Sequence, residues 1–323
     1  MVLRKTPHQQ AGFALITVLL VVAIVSIIAA QLVYQQALDI QRAETRLNQA
    51  QSLAVANGLE AWVKKGLKLD ASMNKTDHLG EQWAQPMMPI PFAGGQVAGR
   101  LEDLQGRFNV NNLTETDEKK AKLWQQIAQR LLRNAELPIA LVDVLTDWVD
   151  ADNNARLMGA ESDFYLLKNP AYRAGNQPLV QLEELALLKG FTPAIRQQLS
   201  PALSALPTVT KININTAPKA VLLALADWIT PEIAQAWLDK RVLKPADKIA
   251  SFHSFLVAET GFKLEEVQAA MPDSIISVQT AFFLLVGQFD YGSVQQQVDA
   301  LLHRESDTQV TLIQRWFSQV KDE

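Results

Sequence analysis

The chain has 323 residues, a formal net charge of -4 and no cysteine. That length supports two bodies with sizeable cores, the near-neutral balance lacks the basic footprint of a nucleic-acid binder, and zero cysteine excludes disulfides and zinc-thiolate sites. Such a chain suits an exported protein held together by core packing and, where acidic residues gather, by a metal.

Arg4 and Lys5 precede a run from Phe13 to Ala30 that carries no charge, long enough as a helix to cross a bilayer. The positive charges keep the leader cytoplasmic and send the remainder across. Hydropathy alone leaves three readings: a secretory signal cut near Ala29 or Ala30, an uncleaved anchor, or an anchor that continues as a longer helix. From Phe13 to Asn57 there is no Gly and no Pro, and Gln, Ala, Leu, Glu and Arg abound; these are good helix formers. The composition predicts a helix from Phe13 to Val63, roughly 75 Å long, apolar first and amphipathic after. Leu38, Arg42, Leu47, Leu53, Val55, Leu59 and Trp62 supply its positions for packing a globular domain.

A charged leader ending in Gly12, then Phe13, then this helix resembles the type IV prepilin N-terminus. The resemblance implies that a prepilin peptidase cuts between Gly12 and Phe13 and methylates the new N-terminal Phe. The Glu usual at the fifth mature position is replaced by Thr17. A carboxylate inside a bilayer is costly unless paired, and in pilins it pairs with the amine of the subunit ahead. Its absence implies a first, tip-forming subunit, or a pilin-like protein that does not polymerise.

The stem is expected to give way around Gly66 to a stretch with Pro86, Pro89, Pro91, Gly94, Gly95 and Gly99, which breaks helix repeatedly. Gln96 to Leu104 alternates as a strand does. Gly106-Arg107-Phe108-Asn109-Val110-Asn111-Asn112-Leu113 then introduces a helical block from about Glu118 to Trp148, within which Pro138 should start a new helix.

From Asp150 the chain reads Asp150-Ala151-Asp152-Asn153-Asn154-Ala155-Arg156-Leu157-Met158-Gly159-Ala160-Glu161. Oxygen-bearing side chains thus fall at loop positions 1, 3, 5 and 12, the spacing of an EF-hand calcium loop, with apolar Leu157 at position 8. The sixth position, normally Gly, is Ala155. Asp147 and Asp163 flank the loop. The candidate metal ligands are therefore Asp147, Asp150, Asp152, Asn154, Glu161 and Asp163, and a flexible all-oxygen array favours calcium over magnesium. The plainer alternative is a solvated acidic loop in which Asp147 or Asp163 caps a helix.

Phe164-Tyr165-Leu166-Leu167 and Asn169-Pro170-Ala171-Tyr172 read as cover for that loop, with an exposed partner patch as the alternative. Leu179 to Leu188 reads as a helix and Pro201 to Thr210 as a linker. Lys211-Ile212-Asn213-Ile214-Asn215-Thr216-Ala217-Pro218 repeats the earlier Asn phrase, with Thr216 or Asn215 expected to cap the next helix and Pro218 to sit in its first turn. The phrase also resembles the start of a helix-hairpin-helix DNA-binding unit. Its turn, Ala226-Asp227-Trp228-Ile229-Thr230-Pro231, is acidic and lacks the glycines that hold a phosphate, which argues against DNA. Pro231 opens a helix to Leu243, and Phe252, Phe255, Leu256 and Phe262 form an aromatic cluster. Ser274 to Asp290 and Gln309 to Phe317 read as strands, the first apolar enough to be central.

Gly12-Phe13 with Thr17, the run Asp147-Trp148-Val149-Asp150-Ala151-Asp152, Gly159-Ala160-Glu161, and Ile212-Asn213-Ile214-Asn215-Thr216-Ala217 together resemble the minor pseudopilin K family of type II secretion systems, the general secretion pathway protein K family. The resemblance implies an α+β pilin fold, its long N-terminal helix half transmembrane and packed on an antiparallel sheet, interrupted by a large inserted α-helical domain with calcium bound nearby. The expected division is a leader at 1–12, a transmembrane and fibre-core helix at 13–33, the stem and first strands at 34–107, the inserted domain at 108–210, and a helical segment with closing strands at 211–323.

The resemblance further implies assembly with minor pseudopilins I and J at the tip of a periplasmic pseudopilus, processing by prepilin peptidase, and contact with other pseudopilus and inner-membrane assembly components. The protein would be a single-pass inner-membrane protein in contact with lipid, its C-terminal domain periplasmic, nucleating or capping the fibre that exports folded proteins across the outer membrane. It would bind no nucleic acid and would not be an enzyme. The alternatives are an exported calcium-stabilised enzyme and a minor pilin of a type IV pilus. Against the enzyme, His8, His78, His253 and His303 are scattered without zinc spacing, and neither a nucleophile elbow nor a phosphate loop is present.

Overall fold

A computed structural model describes residues 11–92, 95–291 and 294–319; Arg4, Lys5 and His8 of the expected leader lie outside them. The chain divides into a unit ending at Asn57 and a second beginning at Gly58. Helix α1, Ala11–Met73, starts in the first and ends in the second. In the first unit its apolar side chains from Phe13 to Val33 are exposed, and by length and composition the helix can cross a membrane. The Thr17 hydroxyl donates to the Phe13 and Ala14 carbonyls at 3.2 and 2.9 Å. That side chain is thereby satisfied within its own helix, as lipid demands.

In the second unit Leu59, Val63 and Leu67 are the buried stripe of α1, spaced four apart on one face. Trp62, expected to pack inward, is 55% exposed, because one residue's rotation of about 100° carries it off that face. The helix also runs on past Gly66 to Met73. One internal Gly costs only about 1 kcal/mol, and burial of the adjacent Leu67 offsets it.

Strand β1, Met87–Phe92, holds Pro89 and Pro91, which are expected to break regular structure. It is an edge strand, where a missing N–H is tolerated. Strand β2, Gly95–Asp103, pairs with it antiparallel. The helical insert follows and itself falls into two stretches. The first opens with β3, Phe108–Asn109, continues through α2 (Glu118–Asn134), α3 (Leu141–Val149), α4 (Ser162–Tyr165) and α5 (Pro193–Leu199), and closes with β4, Leu203–Ser204, parallel to β3. The second opens with β5, Ile212–Asn213, continues through α6 (Lys219–Leu225), α7 (Pro231–Leu243), α8 (Ile249–Thr260) and α9 (Leu264–Ala270), and closes with β6, Ile276–Ser277, parallel to β5. The expected block from Glu118 to Trp148 is thus two helices, the expected helix at Leu179–Leu188 is a 3-10 turn at Leu182–Leu187, and the Pro201–Thr210 linker contains β4.

Strands β7 (Phe282–Tyr291), β8 (Val294–Arg304) and β9 (Val310–Gln319) complete one antiparallel sheet in the order β1-β2-β7-β8-β9. The insert therefore enters between two strands that are hydrogen-bonded neighbours. Gly99 pairs with Gly287 beneath α1, and a Cβ on Gly287 would stand 2.7 Å from Leu59 Cδ2 and 2.9 Å from Val298 Cγ1. The missing side chain lets the helix lie close to the sheet. In the insert, Phe108, Trp124, Leu145, Trp148, Leu225, Trp237 and Phe252 belong to one continuous core, so its two stretches form a single packed body.

The two Asn phrases hold that body together. Asn109 and Asn213 each accept from the backbone N–H two residues on, at 3.1 and 3.0 Å. Asn111 exchanges bonds with both backbone groups of Leu179, and Asn215 does the same with Ala246. Neither Asn215 nor Thr216 caps α6; Pro218 occupies the N-cap position, and the Thr216 hydroxyl donates to buried Asp103 at 2.5 Å. At the turn after α6, Asp227 accepts from Arg130 and Arg133 of α2. The nearby cations are thus engaged by an internal carboxylate, which opposes phosphate binding there.

Candidate functional site

The acidic loop lies between α3 and the single turn of α4, and it spans residues 150–161 as the spacing predicts. Helix α3 ends where Asp150 donates its N–H to the Thr146 carbonyl at 2.9 Å, and Trp148, Val149 and Leu145 anchor that end in the core. One oxygen each of Asp150, Asp152 and Glu161 lie within 4.8 Å of one another. Loop positions 1, 3 and 12 therefore converge. Asn154 contributes a backbone N–H to Asp152 Oδ1 at 2.7 Å and is exposed. Asp163 is exposed in the first turn of α4, where its charge favours the helix N-terminus. The plainer helix-start reading describes Asp163; nothing in the geometry places it with the converging oxygens.

Asp147 lies deeper than the converging three. Its carboxylate is fully buried and accepts the Arg156 N–H at 3.1 Å, while the Arg156 guanidinium stands 3.4 Å from it and 3.5 Å from Asp150. A Cβ on Gly159 would lie 1.8 Å from Asp147 Oδ2, so only glycine lets the loop close over that carboxylate. Ala155, at the position normally Gly in an EF-hand, is not among the residues with positive φ. The loop reaches its convergence without the sharp left-handed turn.

The electrostatics of the three converging residues are unbalanced. Glu161 is 5% exposed, and neither of its oxygens has a hydrogen-bond donor; Asp150 Oδ1 is likewise buried without one. Burial, with the neighbouring charges of Asp147 and Asp150, pushes the Glu161 carboxyl up to about 7. Burial and then Asp152 push Asp150 upward as well. Buried carboxylates without donors are costly, and a hard cation would satisfy these oxygens together. Oxygen-only ligands at this spacing suit calcium chemically. The residues fit such an ion.

Several supports of the loop escaped the sequence reading. Asp143 accepts the Met158 N–H at 3.2 Å, Lys189 donates to the Gly159 carbonyl at 3.0 Å, and Asn176 donates to the Asp152 carbonyl at 2.6 Å. Lys189 and Lys168 both lie over the Phe164 ring. Tyr165, expected as cover, is buried against Trp148 and Tyr172, whereas Leu166 and Leu167 are exposed. A second acidic group, Asp70, Asp77 and Glu81, was also missed. It is already occupied: Arg304 donates to Asp70 and Asp77, while Glu81 accepts from the His78 N–H, the Trp83 indole and Asn74. Arg304 comes from β8, and no local spacing announces it.

Two segments, residues 106–208 and 212–271, match families both described as Type II secretion system (T2SS), protein K. Those segments coincide closely with the two stretches of the insert. A curated relative, type II secretion system protein K of Pseudomonas aeruginosa, is 35% identical over 95% of this chain and 92% of its own length. Its counterpart from Klebsiella pneumoniae is 30% identical over 93% and 94%. Among solved structures, the crystal structure of the GspK-GspI-GspJ complex from enterotoxigenic Escherichia coli contains a chain that matches with a TM-score of 0.75 and 22% identity, covering 86% of this chain and all of that one.

Proposed function

The chain belongs to the type II secretion system protein K family, and from that premise we propose that it is the minor pseudopilin at the tip of the pseudopilus, assembled there with minor pseudopilins I and J. The observation that carries the tip position is the insertion of everything from Leu104 to Ala281 between two paired strands of a pilin sheet. Subunits stacked along a fibre need a compact head, and a second body of this size has room only at an end. Thr17 supports the same reading, since its hydroxyl is satisfied within its own helix and asks nothing of a subunit ahead. The partner assignment is supported by the fold match to a protein solved together with GspI and GspJ.

In this reading prepilin peptidase removes residues 1–12 and leaves a methylated Phe13. The apolar part of α1 anchors the subunit in the inner membrane as a single pass, the head lies in the periplasm, and the role is assembly rather than catalysis. The converging carboxylates of the acidic loop would serve as ion ligands rather than as an acid-base pair. Asp150, Asp152 and Glu161 would hold calcium, which would supply the positive charge their buried oxygens lack and fix the loop against α3. Gold labelling of the head in cells that overproduce pseudopili tests the tip position. One label at a fibre end is expected; labels spaced along the fibre would overturn it.

A further inference from the structure

The segment after α4 returns to the acidic loop at a single residue. Asn176 has φ +45°, a left-handed backbone that asparagine tolerates better than other non-glycine residues. Its Nδ2 donates to the Asp152 carbonyl at 2.6 Å and to Asn153 Oδ1 at 3.0 Å, while its own Oδ1 is buried without a hydrogen-bond donor. The preceding Gly175 is pressed against the indole of Trp148: a Cβ there would meet Nε1 at 2.9 Å and Cε2 at 3.1 Å. Next before it, the Ala174 N–H donates to Ser162 Oγ at 3.2 Å, beside Glu161. The turn at 174–176 is therefore fixed on one side by the helix that presents Asp150 and by the residue that follows Glu161. On the other side it holds the backbone of Asp152.

We propose that Asn176 is a positioning residue for the cation site, clamping the Asp152–Asn153 backbone so that the Asp152 carboxylate is held beside Asp150 and Glu161. The inference rests on the calcium reading above. Glu161 is buried at the start of α4 whereas Asp152 is exposed in the loop, and an exposed aspartate loses side-chain and backbone freedom when it binds an ion. A clamp that pre-orders the residue removes part of that cost, as supporting groups do in other metal sites. Backbone strain alone does not require this side chain, because Gly would adopt the same φ at no steric cost. What Gly would lack is the amide.

The test is isothermal titration of calcium chloride into the chelator-treated full-length protein in detergent, comparing the natural chain with Asn176→Gly and recording the calcium-free melting temperature of each. Binding by the natural chain, with a Kd for Asn176→Gly about 10-fold or more weaker and a nearly unchanged calcium-free melting temperature, is the expected result. Equal Kd values in the two proteins would overturn the role of Asn176 while leaving the calcium site intact. No binding by the natural chain would overturn the calcium reading and this inference together. Should Asn176→Gly fail to fold, Asn176→Asp keeps the side-chain shape and the tolerance of a left-handed backbone but sets an acceptor where the donor to the Asp152 carbonyl was. A weaker Kd in that variant supports the clamp, and an unchanged one overturns it.

Discussion

Glu161 concentrates the tension of the acidic loop in one side chain. It is buried, it lacks donors, and Asp147, Asp150 and Asp152 all raise its carboxyl. Glu161→Gln should therefore have opposite effects in two conditions. Without calcium the variant should melt higher than the natural chain, because one of the mutually repelling carboxylates is gone. With millimolar calcium the natural chain should gain melting temperature and the variant should not, so the two curves cross. Asn111 is a purely structural counterpart. Its amide satisfies the Leu179 carbonyl, the Leu206 carbonyl and the Leu179 N–H at 2.9, 2.8 and 2.8 Å, all buried. Asn111→Ala orphans these groups at about 1–3 kcal/mol each, and urea denaturation should show a loss of about 3 kcal/mol or more. The convergence of Asp150, Asp152 and Glu161 was legible in the sequence because their spacing is local. That Asp147 holds Arg156 and that Asp163 stands in the first turn of α4 was not, because those positions depend on which way the chain turns after α3. Asn176 lies 24 residues from its partner carbonyl, beyond any spacing rule.

Helix α1 and the sheet are joined by a buried ion pair, Glu60 with Arg315 of β9, at 2.5 and 2.8 Å. The Glu60 side chain is 4% exposed, so Arg315→Ala leaves a buried charge uncompensated. That should cost about 3–5 kcal/mol in equilibrium denaturation, whereas replacing both residues with apolar ones should recover most of the loss. At this scale the sequence was most informative where periodicity and punctuation agree. Helix α7 starts at Pro231 and ends at Leu243 as expected, and β2 and β9 fall within a residue or two of their predicted spans. Strand β8 was missed because Gln295-Gln296-Gln297 is polar throughout and Val298 to Leu302 are buried on both faces, so no alternation shows. Strand β1 was missed because prolines signal breaks unless the strand is known to be an edge, and edges are a property of the sheet.

Across the second unit as a whole, sheet, stem and insert meet at one polar junction. Asp103 at the end of β2 accepts from Asn213, Thr216 and Thr280, while Arg304 ties Asp77 to Asp70 and to the Thr280 carbonyl. Asp70 is raised to about 6 by burial and then by the charges of Glu81 and Asp77, which outweigh the attraction of Arg304. A carboxyl raised in the fold keeps its proton more tightly than the unfolded chain does. Its contribution to stability is thus fully present below the unfolded value of 3.8 and is lost as pH rises through about 6. Melting the natural chain beside Asp70→Asn across pH 3–8 should show the advantage of the natural chain shrinking as pH rises through about 6 and levelling above it. A constant difference would deny the shift.

The insertion point itself was readable only in outline: two Asn phrases flanking helices suggested a repeat, but nothing local says that β2 pairs with a strand almost 180 residues later. The tip assignment proposed above depends on that pairing, because it sets the whole insert between two neighbouring strands of the sheet. Native mass spectrometry of the mature full-length chain, co-purified in detergent with pseudopilins I and J, tests that assignment most directly. The account predicts a discrete complex with one copy of each subunit and no higher species in which this chain repeats. A chain that stays alone, or one that assembles with further copies of itself, would contradict it.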